Sequence, residues 1–153
     1  AKSHGRAKTD TQLAAIADNG GVNCITPFPP VIKRDPDTHD VLPASIHDVL
    51  DHIDHAVDVG GVESVAFGGD MSDRTLDQGS ISQGSNLNVW RKSHPEVYGA
   101  GPTDRMDPYP NGLSRYTELH NLPHGLVARG YSDEEVRLIM GGNLLRVFES
   151  VWV

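Results

Sequence analysis

The spacing of apolar and polar positions changes along this chain, and the changes mark its elements. Leu13, Ile16 and Ala17 recur at helical spacing. Ahead of them Thr9-Asp10-Thr11-Gln12 reads as a capping box, with Thr9 as N-cap and Gln12 three residues on. Asn19-Gly20-Gly21 ends that helix, since glycine readily adopts the left-handed conformation that closes a last turn. Residues 22–26 are an apolar run that predicts a strand, closed by Pro27-Phe28-Pro29-Pro30. Residues 33–42 are polar and loop-like. The strongest helical signal follows, with Ile46, Val49, Leu50, Ile53 and Val57 on one stripe, Ser45 as N-cap and Asp48 in the first turn. The opposite face carries His47, Asp48, Asp51, His52, Asp54, His55 and Asp58. His/Asp pairs four residues apart can hold a metal, but a solvated acidic face is the expected reading.

Gly60-Gly61 then leads into the stretch around which the chain is organised. Residues 64–67 alternate as a short covered strand and run into Gly68-Gly69-Asp70. The two glycines turn the backbone and allow close approach. Asp70 falls at the C-terminal end of a strand, where α/β folds place their chemistry. The plain alternative is a turn aspartate bonded to its own backbone.

Residues 71–111 are irregular and rich in Gly, Ser, Asn and Pro. A connection this long is usually functional or disordered. Trp90, His94, Tyr98 and Tyr109 within it argue for an ordered loop. Residues 112–128 predict a helix that breaks near Asn121 and Pro123. Ser132 and Glu135 form a second capping box, followed by an apolar stripe of Val136, Ile139 and Met140. Gly141-Gly142 interrupts it, and Asn143 is expected to cap a last helix in which Leu144, Leu145, Val147 and Phe148 pack. Helix and strand alternate, which predicts an α/β fold of parallel units. Two or three strands are too few for a closed barrel, which takes about 250 residues.

Composition narrows the classes. At 153 residues, 37% hydrophobic and 22% charged, the chain is a single globular domain with a core. A net charge of −8 without a Lys/Arg cluster argues against nucleic acid and anionic membrane as partners. Cys24 is the only cysteine, so no internal disulfide or cysteine metal cage is available. No apolar run approaches the roughly 18 residues of a membrane span. Residues 1–6 do not read as a signal peptide. They look like the middle of a domain, and a soluble, cytoplasmic location is the expectation.

Four stretches, in order, resemble the membrane (renal) dipeptidase family of zinc peptidases, a branch of the amidohydrolase-like barrels. They are Ser3-His4 with Arg6 and Thr9-Asp10-Thr11-Gln12-Leu13; Gly20-Gly21-Val22; Phe67-Gly68-Gly69-Asp70; and Tyr131-Ser132-Asp133-Glu134-Glu135-Val136 running on to Gly142-Asn143-Leu144-Leu145-Arg146-Val147-Phe148-Glu149. The last run is the most specific. The resemblance covers almost the whole chain but only the C-terminal part of the family's domain.

The resemblance implies the C-terminal portion of a (β/α)8 barrel metallohydrolase, over residues 1–153, with a long loop at 71–111. In such enzymes two zinc ions, bridged by a carboxylate and a hydroxide, activate water and polarise the scissile amide of a dipeptide. By the resemblance His4 is a metal ligand and Asp70 handles the proton and binds the substrate amine. Arg6 clamps the substrate carboxylate, although it lies closer to His4 than the family's spacing. After Asp70 the chain reads Met71-Ser72-Asp73, where the family often has a second Asp and a Gly. Nothing corresponds to the family's first-strand His-x-Asp, its bridging glutamate or the histidines of its earlier strands. About three protein ligands are needed for a catalytic zinc, so the chain alone is expected to be an incomplete dipeptidase. A missing upstream segment or a homo-oligomer is then implied. Two alternatives stay open: a non-catalytic relative kept for binding or assembly, and a different amidohydrolase-type reaction.

Overall fold

Thr9 starts the first helix as its side chain suggests. In this computed structural model, which describes residues 7–38, 40–71, 93–94 and 109–152, helix α1 spans Asp10–Asp18. Thr9 Oγ1 accepts from the Gln12 N–H at 3.3 Å, and Gln12 Oε1 accepts from the Thr9 N–H at 3.0 Å. Strand β1 is Asn23–Ile25, shorter than the apolar run. The prolines that end it also begin a single helical turn, α2 (Pro29–Ile32), because proline is pre-set for a first turn.

Helix α3 runs from Ile46–Gly60. The Asp48 carboxylate accepts from the Ser45 N–H at 2.8 Å and from Ser45 Oγ at 3.1 Å. Val49, Leu50, Ile53 and Ala56 are buried, while Ile46 and Val57 lie at the margin of the core. A 3₁₀ turn (Val62–Ser64) delays strand β2 to Val65–Phe67. Ser64 therefore belongs to the turn, where its Oγ donates to Gly61 O at 2.9 Å. β1 and β2 pair in parallel, with Cys24 opposite Ala66. Parallel neighbours need a long crossover, and α3 supplies it. The expected β/α unit is thus present, with two strands among the described residues.

Beyond the long connection a 3₁₀ turn (Tyr116–Glu118) precedes α4 (Asn121–Ala128). The helix expected over 112–128 is broken ahead of Asn121. Pro123 sits in the first turn of α4, where its missing N–H is needed by no hydrogen bond. Gly125 lets α4 approach α3, since a Cβ there would meet Leu50 Cδ1 at 2.6 Å. Helix α5 (Asp133–Arg137) opens with the expected Ser132/Glu135 capping box. A π-helical segment (Leu138–Gly142), kinked at Gly141, connects it to α6 (Asn143–Val151).

Two expectations are corrected here. Asn143 is not an N-cap: it is the first residue of α6 and fully buried. Its Nδ2 donates at 2.8 Å to both Val62 O and Val65 O, two carbonyls at the junction of turn and strand. Arg146 reaches the same end of the sheet, donating to Gly20 O at 3.0 Å and Glu63 O at 2.9 Å. These bonds fix which face of α6 is turned inward. Leu145 and Phe148 consequently point outward, 62% and 38% exposed, rather than joining the core.

The polar face of α3 is solvent-facing as expected, with His47, Asp51, His52, His55 and Asp58 exposed, and it also carries ion pairs. Arg129 pairs with Asp51 at 2.7 Å and with Asp54, and donates to His47 O at 3.1 Å. Tyr131 Oη donates to Asp54 at 2.9 Å. Burial and the neighbouring carboxylates push the Tyr131 phenol well above its ordinary range. Lys33 pairs with Asp48, and His55 with Asp10, each at 2.8 Å. This face joins α3 to α1 and α4.

Candidate active site

The C-terminal ends of β1 and β2 lie side by side, and the backbone chemistry there is specific. Gly68 extends the ladder, its N–H donating to Ile25 O at 2.9 Å. A Cβ at Gly68 would sit 2.7 Å from Cys24 Cβ, so only glycine allows this approach. Partial burial of its sulfur raises the Cys24 thiol.

Asp70 follows at φ +46°, the only positive-φ residue other than glycine among the described residues. That conformation costs an ordinary L-residue about 1–2 kcal/mol, and aspartate tolerates it better than most. The backbone is held there from a distance. Tyr109 is buried, and its hydroxyl donates to Asp70 O at 3.1 Å. Tyr116 donates to the next carbonyl, Met71 O. The Asp70 residue itself remains exposed.

The segment carrying these tyrosines is anchored in turn. The Asn111 N–H donates to Ala44 O, and the Ile46 N–H to Asn111 O, both at 2.8 Å. Asn121 Nδ2 donates to Gly112 O at 3.0 Å. Ser114 donates through N and Oγ to the Glu118 carboxylate at 2.7 and 2.9 Å. Those bonds hold the Glu118 carboxyl below its usual range. Residues 109–121 thus link the start of α3 to the end of β2.

Of the three residues picked out in the sequence, the structure places Asp70 alone. His4 and Arg6 lie outside the described residues, as does most of the loop at 71–111, including Trp90 and Tyr98. No three His, Cys, Asp or Glu side chains among the described residues group together as a metal site. The His/Asp face of α3 is no exception: Asp48 is paired with Lys33, Asp51 with Arg129, Asp54 with Arg129 and Tyr131, and His55 with Asp10 of α1. The described residues therefore do not by themselves fit a zinc centre. The tyrosine hydroxyls were missed in the sequence. Tyr109-Pro110 signals a packed aromatic, but no local pattern states that it bonds a carbonyl 39 positions earlier.

Comparison with known proteins gives a consistent result. The chain matches the membrane dipeptidase family (peptidase family M19) over residues 1–83 and 99–152. It is 26% identical to Dipeptidase 3 of Homo sapiens over 142 residues, covering 93% of this chain and 21% of that protein. Among solved structures it is similar to an amidohydrolase from Pseudomonas aeruginosa, with a TM-score of 0.69 and 25% identity, covering 96% of this chain and 41% of the other. A dipeptidase AC, a metallopeptidase of family M19, shares the fold at a TM-score of 0.63 and 21% identity, over 96% and 33% of the two chains. The chain spans about a fifth of the human relative's length and less than half of either solved chain.

Proposed function

The chain belongs to the membrane dipeptidase family, a family of metallopeptidases, and on that premise we propose that residues 1–153 form one partial (β/α)8-barrel domain of a zinc-dependent dipeptidase. The substrate is a dipeptide, cleaved at its amide bond. The observation that carries this reading is Asp70, an exposed aspartate just beyond the end of a parallel strand, its backbone carbonyl bonded by Tyr109. In this reading Asp70 takes and returns the proton and binds the substrate amine. Arg6 pairs with the substrate carboxylate, and His4 contributes one metal ligand. Zinc, when bound, supplies a polarised carbonyl and an activated water. The remaining donors come from outside the described residues, from an upstream segment or a partner chain.

A non-catalytic role in binding or assembly is the second reading, favoured by the lack of a three-donor group among the described residues. One experiment separates the two. The part of the Pseudomonas aeruginosa amidohydrolase that its match to this chain leaves uncovered is co-expressed with residues 1–153, and the zinc-loaded assembly is assayed on simple dipeptides. Turnover that falls by about 10² or more in Asp70→Asn, with zinc retained, supports the dipeptidase reading. A zinc-loaded assembly without turnover, or an unaffected Asp70→Asn variant, contradicts it.

A further inference from the structure

His120 and His124 stand one turn apart at the start of α4, and both are exposed. Their ring centroids are 5.8 Å apart and the rings meet edge to face at 75°. Neither belongs to the stretches that carry the family resemblance.

We propose that His120 and His124 form an exposed two-histidine site for a borderline divalent transition-metal ion, separate from the zinc centre of the proposed dipeptidase. Two histidines at i and i+4 on one helix face bind such ions in other settings. The geometry here suits that use. With nitrogen about 2.0–2.1 Å from a metal, each imidazole centre lies roughly 3.2 Å away, and two rings on a tetrahedral ion have centres about 5 Å apart. The observed separation is within about 1 Å of that value.

The second supporting feature is the bond that His120 makes on its far side. His120 Nδ1 lies 2.8 Å from Thr117 O. A carbonyl can only accept, so Nδ1 carries the hydrogen and Nε2 is left with the lone pair a metal needs. A metal-bound histidine characteristically donates its second nitrogen to such an acceptor, which fixes its tautomer and ring orientation. Helix α4 points its positive end toward the site, which lowers cation affinity by roughly twofold to fivefold. That is small beside the gain from a second imidazole. No third protein donor joins the pair among the described residues, so water fills the remaining positions and the ion exchanges readily. Nickel, copper and zinc are the ions suited to two imidazoles, with copper the tightest.

The test uses the full chain and Cu²⁺ alone, read by paramagnetic broadening of backbone amide NMR signals. The inference predicts that substoichiometric Cu²⁺ broadens the amides around residues 117–126. It also predicts that this local effect needs at least about tenfold more ion in His124→Gln and in His120→Gln. His55→Gln, on α3, leaves it unchanged. No broadening around the start of α4, or equal broadening in His124→Gln, overturns the proposal. Both histidines are exposed, so neither substitution threatens the fold. The result is independent of whether the chain takes part in dipeptide hydrolysis.

Discussion

The hydroxyl of Tyr109 donates a 3.1 Å hydrogen bond to the carbonyl of Asp70, 39 residues earlier in the chain. The bond fixes the backbone of an exposed aspartate at φ +46°. Tyr109→Phe keeps the packed ring and removes the donor. We expect a loss of about 1 kcal/mol in unfolding free energy, measured by denaturant titration, and slower turnover in the complemented assembly. No change in either would mean that the tyrosine merely packs.

Asp70→Gly separates the strain at this position from its chemistry. Glycine adopts φ +46° without steric cost, so the variant should be as stable as the parent or more stable by up to about 1 kcal/mol. Asp70→Ala should be the less stable of the two. Thermal unfolding of the pair decides it, and an Asp70→Gly variant markedly less stable than Asp70→Ala would contradict the left-handed assignment.

Asn143 carries the largest expected effect. Asn143→Ala removes both 2.8 Å bonds to Val62 O and Val65 O from a buried position. Unmet buried carbonyls and the cavity should together cost about 2–4 kcal/mol. A loss below about 0.5 kcal/mol in denaturant unfolding would show that water or a neighbour replaces the amide.

How far the sequence revealed this structure depends on the range of each interaction. The Thr9/Gln12 and Ser132/Glu135 capping boxes and the α3 stripe were legible because each is settled within a few residues. The role of Asn143 was not, since Asn before an apolar run reads as a cap and its two acceptors lie 81 and 78 positions away. Leu145 and Phe148 matched an inward apolar pattern, yet Asn143 and Arg146 set the orientation of α6. At the candidate site the strand, the glycines and Asp70 were legible. The tyrosines that hold Asp70 were not, because their bonds span the long connection.

The Lys33–Asp48 pair gives a pH dependence with a definite sign. Its hydrogen bond with Lys33, with those from Ser45, lowers the Asp48 carboxyl to about 2. An unfolded aspartate titrates at about 3.9. The folded value being the lower one, the stabilisation is complete above that pH and is lost as pH falls from about 4 toward 2. Asp48→Asn should therefore be less stable than the parent by about 1 kcal/mol at neutral pH, after allowance for solvent screening. The difference should shrink below pH 4. A difference that grows on acidification would contradict the assignment.

The outer face of α6 predicts association. Leu145, Val151 and Trp152 are 62%, 61% and 74% exposed, and Phe148 stacks on Trp152 with centroids 4.4 Å apart. Such a stripe is expected to self-associate in water. Sedimentation should show concentration-dependent association that Leu145→Glu with Trp152→Glu weakens. A monomer at all concentrations, or association untouched by the double variant, would contradict this.

The most direct test of the account is the zinc retained by the purified 153-residue chain after gel filtration, with dipeptide hydrolysis measured alongside with and without added zinc. The account predicts far less than one tightly held zinc per chain and no turnover, because Asp70 and His4 belong to a site completed elsewhere. About two retained zinc ions per chain, with turnover abolished in Asp70→Asn, would contradict it and would mean that the chain holds its own metal centre.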